Sequence, residues 1–311
     1  MATGSAAGAA TPSPRPPVQA RSITLAGARV RFQCAGQGPA LLLVHGLLGY
    51  SFSWRHTIPA LAERSTVYAP DLPGAGFSDP APGMDYHLEA CAERLLRFIE
   101  ATGIENCDLV GTSHGGAVAI MTAALVPERI RTLILVAPVN PWSAHGRILS
   151  VLLSRVLPVR AFLGAAPELR SLQEFYFRRL YGDRRRIRPE TIEGYLKPLL
   201  RRGPFQYALT VLRSWNRDLR LLELALPRVS QIPTLLVWGS RDGAVDPASA
   251  VPLGQQFADC QLRMLEGVGH LPYEEAPEDF NQAILGFLEG GRTSVGPATA
   301  VPAQSDHRHP G

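Results

Sequence analysis

The stretch Leu109-Val110-Gly111-Thr112-Ser113-His114-Gly115-Gly116 decides how the rest of the chain is read. An apolar run ends at Val110, a serine follows between two glycines two residues away on either side, and an Ala-rich helical pattern starts directly after it. This is the G-x-S-x-G form, in which a serine occupies a sharp strand-to-helix turn with its hydroxyl lifted clear of the sheet. Gly111 and Gly115 carry no Cβ, so strand and helix can approach closely and the strained serine backbone is easier to accommodate.

Working outward, short apolar runs alternate with helical patterns. Upstream, Ser22 to Ala35 alternates around an Ala26-Gly27 turn and predicts a hairpin. Ala40 to Val44 is an all-apolar run of the kind buried on both faces of a parallel sheet, and it ends at His45-Gly46-Leu47-Leu48-Gly49. A helix is expected from Ser51 or Ser53, with Trp54, Ile58 and Leu61 on one face. Thr66 to Ala69 predicts a strand before the loop Asp71-Leu72-Pro73-Gly74, and His87 to Thr102 predicts an amphipathic helix. After the serine, Thr132 to Val136 is a further strand. The rhythm then stops: Asn140 to about Pro227 carries helical patterns only. It resumes with strands at Thr234 to Trp238 and Gln261 to Leu265, a helix around Ala248 to Phe257, and a closing helix from Glu278 to Leu288. Strands and helices in this order imply an α/β fold with a mostly parallel sheet of about eight strands covered on both faces.

The domain reading follows. Residues 22–139 and 229–289 form the core, 140–228 a helical cap inserted after the sixth strand, and 1–21 and 290–311 disordered tails, the first through Pro12, Pro14, Pro16 and Pro17. Hydrophobic residues make up 46% of 311, enough for a sizeable core. No apolar run reaches the ~20 residues needed to span a bilayer, so stable membrane insertion is not expected. The N-terminal stretch lacks a charged n-region and an apolar h-region, and four scattered cysteines (Cys34, Cys91, Cys107, Cys260) read as reduced thiols; a cytoplasmic location is expected. The net charge of +4 hides an asymmetry, because Arg147 to Arg228 holds 17 basic against 7 acidic residues. That density suits anionic partners or membrane surfaces, or simply a solvated helical face.

A serine hydroxyl becomes a useful nucleophile when a base takes its proton, and the base needs a third group to orient it. In an open α/β sheet such partners sit beyond the carboxyl ends of strands. Asp242 follows one such strand in Gly239-Ser240-Arg241-Asp242, and His270 follows the next in Gly267-Val268-Gly269-His270. Asp246 is a second carboxylate close by, whereas position 140, after the sixth strand, is asparagine.

The chain resembles the α/β-hydrolase superfamily of lid-bearing serine esterases, C–C bond hydrolases, epoxide hydrolases and haloalkane dehalogenases. The likeness spans about residues 22 to 290 and rests on five ordered motifs: the His45-Gly46 turn, the Asp71-Leu72-Pro73-Gly74 loop, the serine turn, the Gly-x-x-Asp loop and the Gly-x-Gly-His loop. It implies a triad of Ser113 as nucleophile, His270 as general base and acid, and Asp242 as the group orienting the imidazole. It also implies an oxyanion hole from the backbone amides of Leu47 and His114, each donor contributing on the order of 3 kcal/mol in the transition state. His45 is expected to shape its turn, and Asp71 and Asp79 to fix their loop. Pocket-lining candidates are His45, Trp54, Trp142, Phe175, Tyr195 and Trp215.

Epoxide hydrolases and dehalogenases of the family carry aspartate at the serine position, so Ser113 argues against an alkyl-enzyme. C–C bond hydrolases commonly have an aromatic residue after the histidine, where this chain has Leu271. The expected activity is hydrolysis of a small, largely apolar carboxylic ester through an acyl-enzyme, with C–C cleavage of ring-cleavage diketones as the alternative. A non-catalytic small-molecule-binding relative is the reading of a different class. No cofactor, metal or nucleic acid is expected.

Overall fold

The computed structural model describes residues 15–80, 83, 85–143 and 169–290. Eight strands form one sheet: β1 Gln19–Leu25, β2 Ala28–Ala35, β3 Ala40–Val44, β4 Thr66–Pro70, β5 Cys107–Thr112, β6 Ile130–Val136, β7 Thr234–Gly239 and β8 Cys260–Leu265. Their order is β1-β2-β4-β3-β5-β6-β7-β8. The first hairpin and the β2–β4 pair are antiparallel, and every other pair is parallel. The hairpin closes with Leu25 opposite Ala28, and Ala26 and Gly27 both take positive φ (47° and 82°), the backbone a two-residue turn needs to follow strand twist. The N-terminal tail gives way earlier than Arg21: Gln19, Ala20 and Arg21 already pair with β2.

The central strands are apolar on both faces, and period-two alternation divides their side chains between two cores. Leu42, Val44, Leu109, Leu133, Leu135, Leu236 and Trp238 face one side, with helices α2 Leu88–Ala101 and α3 His114–Leu125. Leu41, Leu43, Val110, Ile134, Val136, Leu235 and Val237 face the other, with Trp54 and the closing helix. The helix expected over Ser51 to Leu61 is broken into a 3-10 turn, Ser51–Trp54, and a short α1, Ile58–Leu61. Pro59 lacks the N–H that a continuous helix would donate to Arg55. Trp54, Ile58 and Leu61 are nonetheless all buried. The helix around Ala248 is likewise short (α7, Ala250–Gly254), preceded by a 3-10 turn that the Asp246 side chain caps.

Between β6 and β7 the described residues are helical: α4 Arg170–Arg178, α5 Pro189–Leu196 and α6 Arg202–Val229. Residues 144–168 of the expected cap lie outside the described residues, and Asn140 to Ser143 belong to the loop leaving β6. This insertion is fastened to the loop after β8, which continues into α8 Pro272–Glu275 and α9 Pro277–Gly290. The Glu275 carboxylate accepts N–H bonds from Gly182 (2.9 Å) and Asp183 (2.7 Å) of the insertion and from Gly269 (2.8 Å) of the loop. The His270 N–H donates to the Leu180 carbonyl at 2.6 Å. A second fastening is the buried Glu274, which pairs with Arg55 through both carboxylate oxygens and accepts from Tyr195 OH at 2.7 Å. Arg55 also donates to Thr191 Oγ1 at 2.9 Å. Burial raises the Glu274 carboxyl, with Arg55 pulling the other way.

Two stability predictions follow from this packing. Glu275→Ala leaves three backbone N–H groups without their acceptor and is expected to lower unfolding stability by about 2–4 kcal/mol in urea titrations; an unchanged midpoint would show that water replaces the carboxylate at no cost. Asp218, buried on α6, accepts from Ser214 OH at 2.6 Å, and its other oxygen has no partner among the described residues. Burial pushes its carboxyl up to about 6, and the Ser214 bond opposes this. The folded state therefore holds this proton to higher pH than the unfolded chain, whose carboxyl titrates near ~3.9. The penalty is absent below about pH 4, grows between about 4 and 6 and is complete above. Asp218→Asn, which can still accept from Ser214, should raise stability above pH 6 by up to about 3 kcal/mol. A gain independent of pH would contradict this.

Candidate active site

Four strand ends meet at one edge of the sheet, and each delivers one part of the site. β5 ends at Thr112, and Ser113 follows with φ 53° and ψ −122°, a region that L residues enter only when their surroundings hold them there. What holds it is crowding. A Cβ on Gly111 would strike the Gly115 carbonyl, one on Gly115 would strike the His45 carbonyl, and one on Gly116 would lie 2.6 Å from Pro138 Cβ. The Ser113 N–H donates to Val136 O at 2.9 Å, and its carbonyl accepts from Gly116 and Val139 (both 3.0 Å). The serine turn is thus tied to β6 from behind.

The end of β3 supplies the facing wall. His45 is fully buried; its Nε2 accepts the Leu72 N–H at 2.9 Å, so Nδ1 carries the proton and donates to Gly46 O at 2.8 Å. Burial lowers its pKa and favours this neutral form. Leu48 takes φ 59°, a second strained residue, and the turn places Gly46 with its Cα hydrogen toward Ser113: a Cβ there would sit 3.1 Å from Ser113 Cβ. The N–H groups of Leu47 and His114 have no hydrogen-bond partner among the described residues. The Asp71 carboxylate accepts from Ser51 N (2.8 Å) and Phe77 N (2.9 Å), which fixes the loop after β4.

Asp242 and His270 come together from the ends of β7 and β8. Gly239 makes the approach feasible, because a Cβ there would run into the Gly269 carbonyl. Asp242 Oδ1 accepts from Ala244 N (2.7 Å) and Val245 N (3.0 Å), leaving Oδ2 for His270 Nδ1 at 2.7 Å. Both residues are buried, each at 4% exposure. With Oδ2 as the acceptor, Nδ1 is the donor of this bond and Nε2 is the other ring nitrogen. Asp246, the neighbouring carboxylate, instead accepts from Ala248 N at 2.9 Å and caps the 3-10 turn. Asn140 is buried in bonds to Pro138 O and Ser249 Oγ, both at 3.0 Å.

Ser113 and His270 line one narrow cavity of about 90 Å³. Its walls are chiefly apolar: Leu47, Leu48, Phe177, Leu196, Leu199 and Leu271, with Tyr195 and Tyr273. Of the pocket candidates raised from sequence, Tyr195 alone is part of this lining. His45 is spent on its turn. Trp54 is wholly buried against Tyr273 and Phe280 (ring centres 4.8 and 6.4 Å away). Trp215, on α6, packs against the core, and Trp142 and Phe175 are exposed at 37% and 54%. Six leucines and four aromatic rings (Tyr176, Phe177, Tyr195 and Tyr273) line the cavity, so being aromatic did not by itself mark a lining residue. Leu47 and Leu48, in the His45-Gly46 turn, and Leu271, next to His270, were the available signal. His114 lies outside the cavity, sharing a 3.1 Å hydrogen bond with Tyr207 of α6, and burial pushes its pKa down to about 3. It is a neutral structural side chain.

Known proteins resemble this chain in sequence and fold. A family model described as alpha/beta hydrolase fold matches residues 39–277. The chain is 28% identical to haloalkane dehalogenase 2 of Mycobacterium tuberculosis, over 88% of this chain and 97% of that one. It is 26% identical to 2-hydroxymuconate semialdehyde hydrolase of a Pseudomonas species, over 86% and 93%. Among solved structures, a membrane phospholipase A described as a bacterial virulence factor superposes with a TM-score of 0.75 at 26% identity, covering 89% of this chain and 87% of that one. With its eight-stranded sheet and a family match across most of its length, this chain belongs to the α/β-hydrolase fold family.

Proposed function

We propose that the protein is a serine hydrolase that cleaves a small, largely apolar carboxylic ester through an acyl-enzyme. The observation that carries this reading is a serine and a histidine on one apolar cavity, with the histidine held at Nδ1 by a buried carboxylate. In the proposed reaction His270 Nε2 takes the Ser113 proton as Oγ attacks the ester carbonyl, and the Leu47 and His114 N–H groups receive the developing oxyanion. His270 then protonates the departing alcohol. Water, deprotonated by the same nitrogen, releases the acid and restores Ser113. Asp242 holds the tautomer and stabilises the imidazolium. The small-molecule substrate reaches Ser113 past Tyr195, Leu196 and Leu199 of the insertion, which acts as the cap.

Relatives include a dehalogenase, yet the chemistry of an alkyl-enzyme ester requires a carboxylate nucleophile, and position 113 offers a hydroxyl. A second reading has a specific observation behind it: the likeness to 2-hydroxymuconate semialdehyde hydrolase, which favours cleavage of a C–C bond beside a ketone.

Purified protein is expected to hydrolyse short p-nitrophenyl esters. Ser113→Ala should lower kcat/KM by at least about 10⁴-fold, and Asp242→Asn by a similar factor through the wrong imidazole tautomer, with thermal unfolding of both near the parent's. Turnover of a ring-cleavage diketone far above that of any ester would favour the second reading. A parent protein inert on every ester and diketone that still binds them would mean a receptor.

A further inference from the structure

Helix α4 has two apolar faces, and hydrolysis uses one of them. Phe177 points inward and packs on Tyr181 and Tyr195 (ring centres 5.6 and 4.8 Å away). On the other side Leu169, Leu172, Phe175 and Tyr176 are exposed at 46%, 58%, 54% and 51%, spaced to share one helix face. Leu200, exposed at 71%, stands on a groove formed with Arg170, Gln173, Glu193, Leu196 and Lys197. Gln173 and Leu196 line both that groove and the cavity of Ser113, so the two share a wall.

The rim is cationic. Residues 169–201 hold nine basic and four acidic side chains. At this face, Arg178 and Arg179 are exposed at the end of α4, with the Arg179 guanidinium over the Phe175 ring at 5.7 Å. Lys197 and Arg170, the latter paired with Glu174, line the groove; Arg186 and Arg188 lie instead toward the His270 loop.

We propose that this face docks on an anionic lipid surface. Large apolar side chains at the centre of a cationic rim match the boundary between acyl chains and headgroups: Leu172, Phe175 and Leu200 enter the apolar layer while the arginines pair with phosphates. A second copy of the chain fits poorly, since it would set one cationic rim against another. Nucleic acid would engage the arginines but leave Leu172 and Leu200 without use, because bases stack on aromatic and guanidinium planes. Tyr176 belongs both to the exposed face and to the cavity wall, so an ester drawn from the lipid layer enters beside it. That route rests on the ester-hydrolase reading; the docking does not.

The test uses the full chain carrying Ser113→Ala, sedimented with vesicles of phosphatidylcholine alone or with about 30% phosphatidylglycerol, at low and high salt. Binding to the anionic vesicles is expected to be at least about tenfold stronger and to weaken as salt rises. Leu172→Glu/Phe175→Glu should remove it while the thermal unfolding temperature stays at the parent's. Should that pair unfold the protein, Arg178→Glu/Arg179→Glu gives the second reading, expected to weaken binding at least about threefold. Equal binding to both vesicle types, no binding, or full binding by either variant overturns the proposal. So does binding to single-stranded DNA with none to vesicles. Turnover is not read, so failure of the ester-hydrolase reading and failure of docking show up separately.

Discussion

The site depends on the absence of side-chain volume at one crossing point. β5, the serine turn, α3 and the end of β3 converge so tightly that Gly111 and Gly115 have no room for a methyl group, and one on Gly46 would press on Ser113 at 3.1 Å. Any Cβ at Gly111 or Gly115 would meet backbone carbonyl oxygens, which cannot swing aside as a side chain can. That closeness drives Ser113 into its strained backbone and sets its hydroxyl opposite the Gly46–Leu48 turn. The cost of the strain, of order 1–3 kcal/mol for each such residue, is offset by bonds from Ser113 to both β6 and the loop beyond it.

The rest of the site is arranged around that point by groups that each have one task. His45 joins two loops with a defined tautomer and keeps clear of the cavity. Asp242 spends one oxygen on its own loop and the other on His270. Glu274 and Glu275, consecutive in the chain and a few residues past His270, reach into the insertion in different ways. One uses side-chain partners (Arg55, Tyr195), the other backbone N–H groups of Gly182 and Asp183. The insertion and the His270 loop are therefore one packed unit, and the wall facing the substrate cannot shift without disturbing the residue proposed as base.

Much of this was legible in the sequence because it is local. The apolar run Ala40 to Val44, the Ala26-Gly27 turn and the glycines around Ser113 each carry their structural meaning within a few residues. The order of Ser113, Asp242 and His270 after three strands of the parallel sheet, β5, β7 and β8, placed them at one sheet edge. Asp242 is preferred to Asp246 in the sequence only through the resemblance, since both stand a few residues beyond β7; backbone geometry turns the first to His270 and the second to Ala248. The break at Pro59 was visible as a residue type but was outweighed by the apolar spacing around it. Cavity walls were the least legible part. Leu196, Leu199 and Phe177 become a pocket through tertiary approach of α4 and α5, and nothing in their own spacing distinguishes lining from core. Asp218 gave no sign either, because its burial depends on where α6 lies against the core.

The central claim is that Ser113 is an activated nucleophile on a cavity held by the Asp242–His270 pair. Its most direct measurement is the mass of the intact protein, with peptide mapping, after reaction with a dialkyl p-nitrophenyl phosphate, whose phosphorus takes the place of the ester carbonyl carbon. One dialkylphosphoryl group on Ser113, absent from Ser113→Ala and formed far more slowly in His270→Ala, is the predicted result. An unmodified protein, or a label carried on another residue while Ser113 stays free, would contradict the account.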